Sequence, residues 1–405
     1  MSLLSIASEE KKGAADGSAW GYTEEEWLFK ENVHKVVTEE LAPTWKEAYT
    51  EDPSVHDPWY HMAMKKLGDL DALRVYAPES IGGLGMRLRA MIIAVEEASR
   101  VSGGLGIHMM ENPMYAISMA RACPAAFSKW GEKMLSGELI MAGAMTAPEG
   151  STNFAEQADI ATFDESTQEW VLNGTKAFSS GGTLADIVRI AGLCDGTLHF
   201  FFMERDTPGL TTHFCKELGN SPYSATFAMD NVRIPKEMGV AMPGVVDRKI
   251  VAPLGPDVFG FTVAAMALGT MEAAVEETEE YLTHRSRYGA PILSLGQVQD
   301  QMARLVAKVE ACRSMILVGA DLIEGGAPEA ALYTSATKAF VCDTARQVTS
   351  DCVIKFGNPG IDPDTGIARH ALDALGLSIG AGENDQHYSH LAHIMGYPNA
   401  KRVMP

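Results

Sequence analysis

The most restrictive feature of this sequence is a change of period in mid-chain. Between about residues 140 and 244 the apolar residues come in short runs cut by turn dipeptides, whereas on either side they recur at spacings of three and four. Strands need a period of two and helices a period near 3.6, so one segment cannot serve both. The chain therefore reads as a β unit set between two helical units, and the predicted fold class is α+β.

In the β unit, Ile187-Val188-Arg189-Ile190-Ala191 and Leu198-His199-Phe200-Phe201-Phe202 flank Asp195-Gly196, and the runs 169–172 and 175–178 flank Asn173-Gly174. Asn, Asp and Gly tolerate positive φ, so both dipeptides predict hairpins. Evenly spaced strands of this kind suggest a small barrel or sandwich, assigned here as a β-barrel domain over 139–244. Upstream, Trp27, Phe29, Val33, Val36 and Val37 share a helix face, and Pro43, Pro53, Pro58 and Pro78 break the run into short helices. Residues 92–101 read as a buried helix stopped by Gly103-Gly104, with an α-helical domain over 1–138. Downstream, three long helical segments are separated by 285–296 and by Gly325-Gly326-Ala327-Pro328. Val298, Met302, Leu305, Val306, Val309, Cys312 and Ile316 stripe the middle one, which predicts a C-terminal four-helix bundle over 245–405.

Composition removes several function classes. With 405 residues, 46% of them apolar, the chain can bury a large core, and its net charge of −20 argues against nucleic acid or an anionic membrane as partner. No uncharged apolar run reaches the roughly 18 residues of a membrane span. The start carries no secretory signal pattern, and the six scattered cysteines include no CxxC pair. Reduced thiols, a cytoplasmic location and no metal site are the expectation. No G-x-G-x-x-G joins a strand to a helix, which argues against a nicotinamide enzyme.

Several motifs, in this domain order, resemble those of the acyl-CoA dehydrogenase family of flavoproteins. The likeness runs from about Glu24 to Tyr397. Arg285-Ser286-Arg287-Tyr288-Gly289-Ala290-Pro291-Ile292 is similar to the family's R-x-x-F-G-x-P-I turn, with Tyr288 at the Phe position. The resemblance implies that Arg285 reaches the flavin pyrophosphate of the neighbouring subunit; a guanidinium suits phosphate oxygens. Thr146-Ala147-Pro148-Glu149-Gly150-Ser151-Thr152-Asn153 resembles T-E-P-G-A-G-S-D, which implies that Met145, Thr146 and Thr152 lie at the flavin or thioester. Lys176-Ala177-Phe178-Ser179-Ser180-Gly181-Gly182 resembles K-x-W-I-T-N-G, with Phe178 packing on the flavin and Ser180 donating to its N5 side. Phe356-Gly357-Asn358-Pro359-Gly360 resembles the L-G-G-x-G loop at the partner subunit's flavin, so Gly357, Asn358 and Gly360 are expected cofactor contacts. The implied cofactor is FAD and the implied substrate an acyl-CoA. Electron-transferring flavoprotein is the implied acceptor, and a homodimer or homotetramer the implied assembly.

The sequence also departs from the family pattern. Gly260 and Leu372 replace arginines, Gly296 stands at a glutamine position with Gln297 adjacent, and Ala381 falls on the catalytic glutamate of the Y-E-G-T turn, with Gly382 and Glu383 following. An alanine accepts no proton, and three explanations remain open. A carboxylate elsewhere has taken over: Glu111, in a loop written His108-Met109-Met110-Glu111-Asn112-Pro113, is preferred, with Glu383 next and Asp257 a further choice that also suits a helix cap. Alternatively, the enzyme is a flavin-dependent acyl-CoA lyase that needs no α-proton base. In the third case the chain is a weak subunit of a heteromeric dehydrogenase, or a binding protein. The preferred reading is an acyl-CoA dehydrogenase, an oxidoreductase on CH–CH donors, with a relocated base and room for an alicyclic or bulky acyl group.

Overall fold

The computed structural model describes residues 20–150, 157–215, 224–242 and 255–398, except for the side chains of 255–257 and 259. The first helical unit contains α1 (Glu24–Val36), α2 (Pro53–Gly68), α3 (Leu88–Ser99) and α4 (Gly103–Ala122), counting only helices longer than eight residues. Local chemistry starts two of these helices. Thr23 and Glu26 exchange side-chain and backbone hydrogen bonds in a capping box, and Asp52 caps α2 ahead of Pro53. Pro58 does not break α2 but sits in its second turn.

The largest departure from the sequence reading lies at Gly103-Gly104. These glycines open α4 rather than close α3. Glycine after an apolar helical run usually marks a C-terminus. Here Ser102 accepts from Gly104 N at 3.1 Å, and the buried Asp373 carboxylate accepts from Gly103 N at 2.9 Å, so tertiary contacts hold a sequence of weak helix formers. A Cβ at Gly106 would run into Ser99 Oγ, which explains the third glycine of this turn. Pro113 lies inside α4, so the predicted loop 108–113 is helical and Glu111 is a helix residue.

The middle unit holds strands β1 (Met141–Ala144), β2 (Ala161–Asp164), β3 (Glu169–Ser179), β4 (Ile187–Cys194), β5 (Thr197–Glu204), β6 (Leu210–Cys215), β7 (Ser224–Pro235) and β8 (Gly239–Ala241). They form two four-stranded sheets, β1-β4-β5-β8 and β2-β3-β7-β6; among the described residues no ladder closes them into the predicted barrel. Asp195-Gly196 makes the predicted two-residue hairpin, with Cys194 opposite Thr197 and φ of 50° and 69° at the two turn residues. Asn173-Gly174 does not. Both residues lie within β3, where the pairing to β7 shifts register. Asn173 Oδ1 accepts from Asn231 N at 2.8 Å, and Gly174 takes φ 140°, so the positive-φ residue serves a bulge instead of a turn.

Alternation along β4 sorts its side chains. Val188 and Ile190 pack with Phe227, Val232 and Ile234 between the sheets, while Ile187 and Ala191 pack with Tyr115, Ile117 and Trp130 of the first helical unit. Arg189 has the parity of Ile187, so it faces α4.

The third unit has α5 (Gly255–His284), α6 (Gly296–Glu324), α7 (Ala330–Phe356), α8 (Ala368–Ile379) and α9 (Asn384–Ile394), with a hairpin of β9 (Ser286–Arg287) and β10 (Ala290–Pro291) between α5 and α6. The apolar helix α5 is buried along most of its described length, as the central member of a bundle must be. A Cβ at Gly269 would overlap the Glu96 carbonyl oxygen, so glycine lets α3 and α5 touch backbone to backbone. Buried ion pairs tie α3 and its C-cap to α1, α5 and α6. Lys30 meets Glu96 at 2.7 Å and Glu97 at 2.5 Å, Arg313 meets Glu96 at 2.9 Å, and Arg100 meets Glu272 at 3.2 Å. No helix among the described residues is long and apolar enough to cross a membrane.

Candidate active site

Glu111 and Tyr115 stand one turn apart on α4, and the Tyr115 hydroxyl donates to Glu111 Oε1 at 2.8 Å. Glu111 is only 8% exposed, and its Oε2 has no hydrogen-bond partner among the described residues. Burial pushes its carboxyl up to about 7, against the opposing pull of the Tyr115 hydroxyl and the Arg189 charge. The Arg189 guanidinium lies 3.9 Å over the Tyr115 ring and 4.5 Å over the Phe200 ring, with one nitrogen 3.6 Å from Met145 Sδ. Gly143 pairs with Arg189 across the β1/β4 ladder. A Cβ on Gly143 would overlap the Tyr115 hydroxyl, so this glycine is what lets α4 close on the sheet.

The predicted cofactor loops adjoin this cluster. Ser179 Oγ donates to the Gly143 carbonyl at 3.0 Å, and Ala177 N donates to the Thr146 carbonyl at 2.9 Å. Lys176, 1% exposed, donates to Gln157 Oε1 at 2.7 Å and to the Met145 carbonyl at 3.4 Å; Gln157 donates to the carbonyls of Met145 and Gly150. Burial lowers the Lys176 ammonium to about 8. Phe178 follows at φ 52° with its ring 64% exposed, and Ser180 is half-buried beside it. A bulky residue in the left-handed region costs roughly 1–2 kcal/mol, so the fold holds an aromatic face outward at a cost. Thr152 lies outside the described residues.

Arg285, Tyr288, Gly357, Asn358 and Gly360 form a second group at one end of the bundle. Arg285 N donates to the Tyr281 carbonyl at 2.9 Å, Tyr281 Oη donates to the Phe356 carbonyl at 3.3 Å, and the two rings stack 4.1 Å apart. Arg285 is exposed and Tyr288 is 94% exposed. Gly357 has φ 69°, while Gly360 is buried where a Cβ would overlap the Val353 carbonyl. Arg285, Tyr288, Gly357 and Asn358 are thus displayed outward, while Gly360 anchors the loop in the core.

The turn at Ala381 is the third group. Ala381 has φ 56° and Gly382 φ 91°. The fully buried Lys338 donates to the Gly382 carbonyl at 2.6 Å and to Asn384 Oδ1 at 2.9 Å, and His387 Nε2 donates to the Ala381 carbonyl at 3.0 Å. Glu383 occupies the N-cap position of α9 with its side chain exposed and making no cap hydrogen bond. Its carboxylate is solvated, unlike that of Glu111. Asp257 belongs to the first turn of α5, and its side chain is outside the described residues.

The sequence reading gives no role to Arg189, Lys176, Gln157 or Lys338, and of Tyr115 it says only that the residue could line the acyl pocket, with core packing preferred. Arg189 left a signal, since it interrupts an otherwise apolar strand.

Residues 23–138 match the family model described as acyl-CoA dehydrogenase, N-terminal domain, and residues 259–396 that described as acyl-CoA dehydrogenase, C-terminal domain. The chain is 26% identical over 370 residues to a cyclohex-1-ene-1-carbonyl-CoA dehydrogenase of Geobacter metallireducens, covering 89% of this chain and 95% of the relative. It is 26% identical over 376 residues to an acyl-CoA dehydrogenase of Bacillus subtilis, covering 90% and 96%. Among solved structures, butyryl-CoA dehydrogenase of Megasphaera elsdenii superposes with TM-score 0.80 at 24% identity, covering 93% of this chain and 99% of that one, which shows a common fold.

Proposed function

The chain belongs to the acyl-CoA dehydrogenase family of FAD-dependent oxidoreductases, and on that premise we propose that it desaturates an acyl-CoA with Glu111 as the proton acceptor in place of the missing carboxylate at Ala381. The observation that carries this reading is a buried carboxyl with one oxygen held by Tyr115, the other unpartnered, and its titration moved to about 7. General bases work best when poised near the operating pH. The residues present fit the cofactor. An outward aromatic face at Phe178, a hydroxyl at Ser180 and an exposed guanidinium at Arg285 supply stacking, a donor and a phosphate partner. Bound FAD supplies the acceptor for the hydride that leaves one carbon of the substrate.

The protein's own part is to take the proton from the adjacent carbon. Glu111 Oε2 accepts it, and the two electrons of the broken C–H bond become the new C=C bond as the hydride departs. Tyr115 holds Oε1 in place, and Arg189, stacked on Tyr115, balances the anion in a site that excludes water. Lys176 and Gln157 tie down the Met145–Thr146 backbone against which the ligands would lie. Because Arg285, Gly357 and Asn358 point away from their own core, they suit the flavin of a second copy, and a homodimer or homotetramer follows. Reoxidation by electron-transferring flavoprotein accords with the likeness, at 25% identity and TM-score 0.82, to a chain solved in work on the electron transferring flavoprotein of Acidaminococcus fermentans. The small side chain at Ala381 and the cyclohexene-carbonyl relative both favour a ring-bearing or otherwise bulky acyl group.

The test is an acyl-CoA panel, alicyclic and dicarboxylic members included, added to the yellow holoprotein. Bleaching of the flavin band, with loss of two hydrogens from the product only when an electron acceptor is present, supports the dehydrogenase. Loss of a substituent without an acceptor would instead make it a lyase, and a colourless protein would refute both.

A further inference from the structure

Resting on the reading of Glu111 as facing an acyl-CoA, we propose that His108 is a specificity-determining residue of the same site, its imidazole pairing with a hydroxyl carried by the acyl group beyond its β carbon. His108 is 0% exposed, yet neither ring nitrogen has a hydrogen-bond partner among the described residues. Buried polar atoms are nearly always paired, and an unpaired one costs about 1–3 kcal/mol, so a histidine with two such atoms among the described residues is placed to pair with a ligand.

Its position says where that partner would lie. His108 precedes Glu111 by three residues on α4, so the two side chains share a face of the helix, and Glu111 Oε2 is unpartnered too. The Cε1 and Nε2 edge of the imidazole rests on Gly181, where a Cβ would overlap the ring. Gly181, at φ 64°, adjoins Ser180, the hydroxyl assigned above to the cofactor. Tyr60 closes the other side, its ring edge-on at 5.9 Å. The face of α4 toward the middle unit therefore carries unpartnered polar atoms within one turn, Glu111 Oε2 as the proton acceptor and the two His108 ring nitrogens beside the cofactor turn.

The protonation state names the chemical class. Burial, with His61 and His56 nearby, lowers His108 to about 3, so the ring is neutral and offers one donor and one acceptor. A carboxylate can only accept and an ammonium can only donate, whereas an alkyl chain does neither. A hydroxyl pairs with either ring nitrogen, whichever tautomer the ring adopts. Sites built to hydrogen-bond a substrate hydroxyl reject the analogue lacking it, because their own polar atoms are then left unpaired. Restoring one partner to His108 corresponds to a preference of about 10–100-fold.

The experiment compares hexanoyl-CoA with analogues whose hydroxyl is walked from the γ carbon to the terminal carbon, using the FAD-loaded full chain. Binding is read from perturbation of the flavin band and turnover as kcat/KM. One hydroxylated analogue is expected to be preferred, with the preference lost in His108→Phe, which should bind hexanoyl-CoA at least as well because it removes two orphaned nitrogens. His108→Gln, which keeps a donor and an acceptor, should retain part of the preference and distinguishes lost pairing from a damaged fold. A wild type without preference, or an unchanged ratio in His108→Phe, overturns the proposal. If acyl-CoAs bind with the preference intact but are not turned over, His108 stands and only the assignment of Glu111 falls; if none binds, both fall.

Discussion

Replacing Glu111 by Gln separates its chemical role from its structural cost, because the two predict opposite changes. Glutamine keeps the shape and the oxygen that accepts from Tyr115 but cannot accept a proton. General bases contribute about 10²–10⁴-fold, so kcat should fall by that factor while acyl-CoA binding changes little. The wild-type rate should rise with pH through about 7, as Glu111 ionises, and level off above it; the variant's residual rate should lack that limb. Stability should move the other way. Because the folded carboxyl sits at about 7 against an ordinary 4.5, the native state holds a proton that the unfolded state releases. The associated stability is fully present below about 4.5 and is lost as pH rises through about 7. At ~1.4 kcal/mol per pH unit, ionising Glu111 in place costs roughly 3 kcal/mol above that range. Glu111→Gln should therefore be more stable than the wild type at pH 8, yet nearly inactive. Stopped-flow bleaching of the flavin and denaturant melts across the pH range measure the two effects. An enzyme that keeps its rate and its pH limb after this substitution refutes the assignment.

Tyr115→Phe removes a hydrogen bond that holds Glu111 down, so the acid limb of kcat should move to higher pH with the plateau retained; a pH–rate profile checks it. Phe178→Ala keeps the left-handed backbone but removes the exposed ring, and about tenfold weaker FAD binding is expected from the lost stacking, read by flavin fluorescence on dilution. Lys338→Met leaves the Gly382 carbonyl and Asn384 Oδ1 without their donor; at about 1–3 kcal/mol per unpaired acceptor, the unfolding midpoint should drop measurably. An unmoved midpoint would mean that Lys338 does not hold the Ala381 turn.

Much of this protein was written in local pattern. The two periods fixed the order of helical, β and helical units, and the stripe from Val298 to Ile316 set the buried face of a bundle helix. Asp195-Gly196 specified its own hairpin, because a type of turn that needs two residues at positive φ is a property of those two residues.

Tertiary structure decided the rest. Asn173-Gly174 carries the same local signal as Asp195-Gly196, but β7 runs past it and pairs on both sides, so the strand continues through a bulge. Gly103-Gly104 reads as a helix stop until Ser102 and the distant Asp373 supply acceptors for its N–H groups, and that pairing turns a predicted loop into the helix that carries Glu111. The site follows the same logic. A glutamate four residues from a tyrosine is ordinary in sequence; its carboxyl is raised toward neutrality because the packing of β1 and β4 on α4 buries it away from water, against the lowering pull of the Arg189 charge. Propensities and turn preferences act over a few residues and are legible there, whereas desolvation and the partners of a buried charge are supplied by segments far away in the chain.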